Sequence, residues 1–164
     1  MILRLILSIA SNTALMNAEP TTETLTRKLA QAGLRTTRQR EIVYDAILTK
    51  PDHPTADEIF ARVKAAMPSI SLATVYNCLD TLVQCRLVKQ VHLERESTRY
   101  CPNLSEHAHF HDDDTGKVYD VQLSHEVLEK LSGLLPENFE PNSIDITFRG
   151  RSARPETPTE TESH

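Results

Sequence analysis

The chain has no tryptophan, only four glycines and three cysteines, and aromatic residues make up just 5% of its 164 positions. So few glycines argue against a glycine-rich phosphate loop or a nucleophile elbow, and no H-E-x-x-H pattern occurs. Cys78, Cys85 and Cys101 stand at unrelated spacings and cannot all pair intramolecularly. That argues against a disulfide scaffold and for reduced thiols in a cytoplasmic setting. Nothing reaches the ~18 consecutive apolar residues needed to cross a bilayer, so no membrane partner is expected. What is present is a hydrophobic fraction of 39%, enough for a modest core, at a length that fits one domain or two very small ones.

The net charge of −5 taken as a whole disfavours a nucleic-acid partner, but the charge is segregated. Residues 24–95 carry 11 basic against 7 acidic side chains, a net of +4, whereas the rest carries 7 against 16, a net of −9. A local field, not the global sum, steers a polyanion. The asymmetry points to a basic binding module joined to an acidic module with another task.

Both ends are expected to lie outside the folded part. Residues 1–15 have one Arg and a short apolar stretch, but Ser8 interrupts it and Ala10–Ala14 is a poor cleavage site. Residues 1–21 therefore read as a leader or disordered extension, with Met16 the favoured start. Residues 151–164 are rich in Pro, Thr, Ser and Glu and read as a disordered tail.

Between them, apolar spacing predicts a run of helices. Residues 22–32 suit a first helix, with Leu25 and Leu29 four apart and Gly33 as terminator. Thr36-x-x-Gln39 has the capping-box form and opens a second, with Ile42, Val43, Ala46 and Ile47 in one stripe and Lys50-Pro51 at its end. Thr55-x-x-Glu58 opens a third, burying Ala56, Ile59, Phe60, Val63 and Met67 before Pro68 stops it. Ser71 caps a fourth, with Leu72, Val75, Leu79, Leu82 and Val83 inward. Leu87–Leu93 and Thr98–Cys101 read as a hairpin around Glu94–Ser97. Helices followed by a hairpin in a net-basic segment make the layout of a winged helix-turn-helix over residues 22–101. Ser71–Cys85 would be its recognition helix, offering Ser71, Thr74, Tyr76 and Asn77 to phosphates or base edges.

The acidic part, residues 102–150, reads as a small α/β unit, and the fold class as α+β. His107–His111 and Lys117–Val121 suit strands joined by an acidic turn ending in Gly116. Residues 125–135 suit a helix capped by Ser124 with Val127, Leu128, Leu131 and Leu135 buried, and Ser143–Phe148 alternates with Ile144, Ile146 and Phe148 on one face. About 50 residues bury too little surface to be stable alone, so pairing with a second copy is expected.

The sharpest chemical signal is His107-x-His109-x-His111. Alternate residues of a strand share a face, so the three imidazoles point the same way. Imidazole is the commonest ligand of Zn, Fe, Mn or Ni, with Asp120 on the next strand and Cys101 on the one before as further donors. His53, between Asp52 and Pro54, reads by itself as an exposed loop residue. His92 and His125 read as surface residues and Cys78 as small packing. Whether His111 or His125 joins a metal site stays open.

Several blocks together resemble the ferric uptake regulator superfamily. They are Leu34-Arg35-x-Thr37-x-Gln39-Arg40, His53-Pro54-Thr55-Ala56-Asp57-Glu58-Ile59, Ser71-x-Ala73-Thr74-Val75-Tyr76-Asn77-x-Leu79, and the HxH segment followed by Thr115-Gly116-Lys117-Val118-Tyr119-Asp120. The resemblance covers residues 22–150. It implies a homodimeric, metal-responsive repressor that binds operator DNA, with an N-terminal winged helix and a C-terminal α/β dimerisation domain, acting in iron, other metal or peroxide homeostasis. It implies a regulatory site for a divalent Fe, Mn or Zn ion at His53, Cys101, His107, His109 and Asp120, with Cys101 where relatives often have Asp or Glu. It implies DNA contacts from Arg35, Thr74, Tyr76 and Asn77, the last replacing an Arg common in relatives.

One departure stands out. Many relatives follow the HxH with a CxxC pair, completed by a second near the C-terminus, which together hold a structural zinc. Here the first positions are Asp112 and Thr115 and no cysteine follows Cys101, so a four-cysteine zinc is impossible. The loss resembles the iron response regulator branch, some of whose members respond to haem, which makes haem an alternative effector. Two other classes stay open: a metal-independent DNA-binding module, and a His/Asp metal hydrolase. The missing hydrolase motifs weigh against the second, and the expected protein is not an enzyme.

Overall fold

The structure, a computed structural model, describes residues 22–153. The expected leader (1–21) and all but the first three residues of the expected tail (151–164) lie outside them. The chain divides into two compact units, one through Glu106 and one from His107 onward.

The first unit is built on four helices: α1 (Thr22–Gln31), α2 (Arg38–Thr49), α3 (Ala56–Ala66) and α4 (Leu72–Gln84). Leu25 and Leu29 of α1 enter one core with Val43, Tyr44 and Ile47 of α2, Ile59 and Val63 of α3, and Val75, Leu79 and Leu82 of α4. Burial of such side chains contributes about 1.5–3 kcal/mol each, which is why α2, α3 and α4 pack pairwise against one another. Their starts are set by side-chain caps. Thr55 caps α3 in a full capping box, accepting from Glu58 N–H while the Glu58 carboxylate takes Thr55 N–H at 2.7 Å. Ser71 caps α4 by accepting from Thr74 N–H. The expected cap of α2 is corrected by one residue: Thr37, not Thr36, accepts from Arg40 N–H, while the Thr36 hydroxyl donates to Thr26 Oγ1 at 3.1 Å.

A short hairpin closes this unit. β1 (Lys89–Val91) pairs antiparallel with β2 (Arg99–Cys101), both shorter than the alternation alone predicts. Leu87, Val88 and Tyr100 seat it on the helical core. The loop before α3 adds a partial third strand: Tyr100 N–H donates to the Pro54 carbonyl at 3.0 Å, and Thr55 bridges Arg99. Those contacts place the His53 loop beside β2.

In the second unit β3 (His107–Asp112) is central. β4 (Val118–Gln122) pairs with it antiparallel, with His109 opposite Asp120, and β5 (Thr147–Gly150) pairs with it in parallel. The expected strand from Ser143 is corrected: pairing starts at Thr147, the His109 N–H reaching the Ile146 carbonyl at 2.9 Å. Ile144 and Ile146 are half-buried and Phe148 is exposed. The helix after β4, α5 (His125–Ser132), is also shorter than expected, capped as foreseen by Ser124. None of its residues is buried in the single chain, so the expected burial of Val127, Leu128, Leu131 and Leu135 is not met here.

Candidate metal centre

Each unit carries its own set of metal-donor atoms. In the first, His53 sits at a left-handed backbone position (φ +55°), a conformation a residue with a Cβ adopts at a cost of about 1–2 kcal/mol. The loop is fastened by its neighbours: the His53 carbonyl accepts from Arg99 Nη1 at 3.1 Å, and the same guanidinium lies 3.7 Å from Glu58 Oε2. The result corrects the reading of His53 as an exposed loop residue, because it is only 4% exposed. Cys101, at the end of β2, is fully buried, with its Sγ 3.9 Å from the Asn103 carbonyl. A ring nitrogen of His53 and the Cys101 sulfur lie within 4.8 Å of each other.

In the second unit, strand alternation puts His107 and His109 on one face of β3, and the register brings Asp120 across from His109. The two Nε2 atoms are 2.9 Å apart, the rings meeting edge to face, with Asp120 Oδ1 3.3 Å from His107 Nε2 and 3.7 Å from His109 Nε2. Ligands about 2.0–2.2 Å from a first-row metal ion stand roughly 3–3.5 Å apart around it. The three separations, 2.9, 3.3 and 3.7 Å, lie close to that spacing, so these side chains fit a divalent cation after small side-chain adjustments. Nitrogen, carboxylate and thiolate donors suit Zn or Fe, and nitrogen with oxygen suits Mn as well.

Among the described residues, His111 and His125 lie outside these sets. His111 is buried with Nδ1 3.4 Å from Asp113 Oδ1, and His125 is exposed with Nε2 3.3 Å from Glu129 Oε1. Among the residues expected to touch DNA, Tyr76 is 44% exposed and Asn77 and Arg35 are exposed. Thr74 is half-buried with its hydroxyl 2.8 Å from Ser71 Oγ. On the opposite side of α4, Val75, Cys78, Leu79 and Leu82 are buried, so the packing face and the exposed face are separated along one helix. Burial pushes the Cys78 thiol above its ordinary range, as expected of a packing residue. Arg99, which props the His53 loop, was not singled out in the sequence; a lone Arg in a short strand carries no signal until its partner 46 residues away is known.

No helix among the described residues is long and apolar enough to cross a membrane. Residues 31–149 match the sequence model of the ferric uptake regulator family. The peroxide-responsive repressor PerR of Staphylococcus aureus is 36% identical over 94 residues, 57% of this chain and 64% of that protein. The chain thus spans somewhat less than two thirds of that relative's length. Among solved structures, the ferric uptake regulator Fur of Helicobacter pylori, described as having three functional metal-binding sites, superposes with a TM-score of 0.67 at 20% identity, covering 80% of this chain and 88% of that one. The peroxide stress regulator of Campylobacter jejuni superposes at 0.56 with 28% identity, covering 80% and 96%. With the winged-helix layout, the histidine strand and a family match over most of its length, the chain belongs to the ferric uptake regulator family, whose members are regulators and not enzymes.

Proposed function

We propose that this protein is a metal-responsive, DNA-binding transcriptional repressor that works as a homodimer. The observation that carries the reading is the His107, His109 and Asp120 triad, three donor atoms close to ligand spacing in a chain whose other unit is a winged helix. In this reading His53 and Cys101 complete the coordination of the same cation. The covalent tether is compatible with that: five residues separate Cys101 from His107, so the Cα atoms of these two residues are at most about 22 Å apart. Bound metal supplies the charge that draws the donors together. The chain's part is to bring them from two units, so that closing around the ion restricts the orientation of the recognition helices. Free energy of metal binding is thereby coupled to affinity for duplex DNA.

Tyr76 and Asn77 would read base edges from α4, with Thr74 and Arg35 on the backbone. A second copy of the chain is the proposed cover for α5 and the segment after it, where Val127, Leu134, Leu135 and Phe139 stand exposed. Similarity to two peroxide regulators supports peroxide as a further signal.

The test is operator binding by the purified chain, titrated with Fe(II), Mn(II), Zn(II) and haem, before and after chelation. Metal-dependent binding that is lost in His107→Ala and His109→Ala, with helical content unchanged, is the expected result. Equal binding after chelation would instead identify a metal-independent module.

A further inference from the structure

The turn between β3 and β4 holds no cysteine, and the chain's three cysteines cannot supply a four-thiolate zinc site. A hydrogen-bonded knot occupies the place. Asp112, the last residue of β3, is only 3% exposed. One of its carboxylate oxygens accepts from Asp114 N–H at 3.0 Å and the other from the Thr115 hydroxyl at 3.0 Å. The backbone N–H groups of Ser152 and Thr115 donate to the same carboxylate. Its backbone is engaged as well: Asp112 N–H donates to the Lys117 carbonyl at 2.9 Å, and its carbonyl accepts from Gly116 N–H at 2.8 Å. Gly116 takes the left-handed conformation (φ +66°) that the tight turn requires. Next to it, Asp113 N–H reaches the Gly150 carbonyl at 2.8 Å.

We propose that the Asp112 carboxylate is an all-protein staple: it fastens the β3–β4 turn to the segment leaving β5, and so keeps this corner of the C-terminal unit closed without a structural metal ion. Four donors from three residues converge on one carboxylate and join two stretches of chain about 40 residues apart in sequence. Burial pushes this carboxyl group up, but the donors outweigh it and hold the group below the usual carboxylate range, as expected where a carboxylate is wrapped in N–H and O–H groups. The nearby pairs Arg149–Asp113 (3.9 Å) and Arg151–Asp114 (3.4 Å) are exposed and contribute little, so the buried carboxylate carries the link. A cation shared by Asp112, Asp113 and Asp114 is disfavoured, because the Asp112 oxygens already face donor hydrogens that it would have to displace. The staple is independent of the regulatory site and of the DNA-binding reading.

Residue-resolved amide hydrogen exchange on the full chain, with and without a strong chelator, decides the matter. In the natural protein the Asp114, Thr115 and Ser152 amides should be protected, and the chelator should not change them. Asp112→Asn keeps the size but loses the charge and one acceptor oxygen. It should raise exchange at those three amides about tenfold or more while the amides of α2–α4 keep their rates. If Asp112→Asn unfolds the unit, Thr115→Val deletes a single donor, and faster exchange at Asp114 and Ser152 is again the expected result. Loss of protection on chelation alone, or unchanged exchange in the folded variants, would overturn the proposal.

Discussion

Arg99→Ala offers a sharp test of how the first donor set is held. The guanidinium donates to the His53 carbonyl at 3.1 Å and lies 3.7 Å from Glu58, and its side chain is 17% exposed. A hydrogen bond from a charged donor is worth about 1.5–3 kcal/mol. The loop it fastens carries about 1–2 kcal/mol of backbone cost at His53, which the guanidinium helps to offset. We expect Arg99→Ala to lose about 1.5–3 kcal/mol of stability, concentrated in the 51–55 loop and the end of β2. If His53 is a ligand, the same energy appears as weaker metal binding. At 1.4 kcal/mol per factor of ten, that is roughly a tenfold to hundredfold loss, the range seen when a residue supporting a ligand is removed. Zn(II) affinity by competition with a chromophoric chelator, beside urea unfolding followed by circular dichroism, reads both effects. Arg99→Lys, which keeps the charge without the planar fork, should fall between the two. A folded Arg99→Ala protein with unaltered metal affinity would refute the reasoning, since the loop would then need no prop or His53 would not be a ligand.

Further outcomes follow from the same geometry. Thr55→Ala removes one half of a capping box and should cost about 1 kcal/mol, read as a lower urea midpoint with an unchanged slope. Burial, with the neighbouring Asp45 charge, pushes the Tyr44 hydroxyl to about 12. Its folded value thus exceeds the unfolded one near 10, so its contribution is complete below pH 10 and disappears between pH 10 and 12. That amounts to about 2–3 kcal/mol of alkaline destabilisation, which Tyr44→Phe should abolish in a pH series of unfolding curves. Tyr76→Ala, on the open side of α4, should weaken specific operator binding by about 1–3 kcal/mol and leave thermal stability within about 0.5 kcal/mol.

Much of this was legible in the linear chain because the relevant interactions are local. The four helices of the first unit follow from apolar spacing, and the caps at Thr55 and Ser71 from residues three positions apart. The shared face of His107 and His109 follows from strand alternation alone. The cap of α2 was displaced by one because two adjacent threonines offer the same chemistry, and only the position of Thr26 in space determines which hydroxyl is diverted.

Tertiary structure decided whatever depends on partners distant in sequence. The His53 loop is held by Arg99 and β2, partners distant in sequence, and burial cannot be read from a loop's composition. β5 begins at Thr147 because alternation reports which side chains share a face, whereas a strand exists only where a neighbour supplies hydrogen bonds. The apolar residues of α5 were recognisable by period, yet the single chain leaves them unburied, which period alone cannot reveal. Local pattern therefore determined the elements and the kinds of donor atom present. Which donors meet within each unit was settled by strand register and loop closure, because those bring together groups that the chain itself keeps apart.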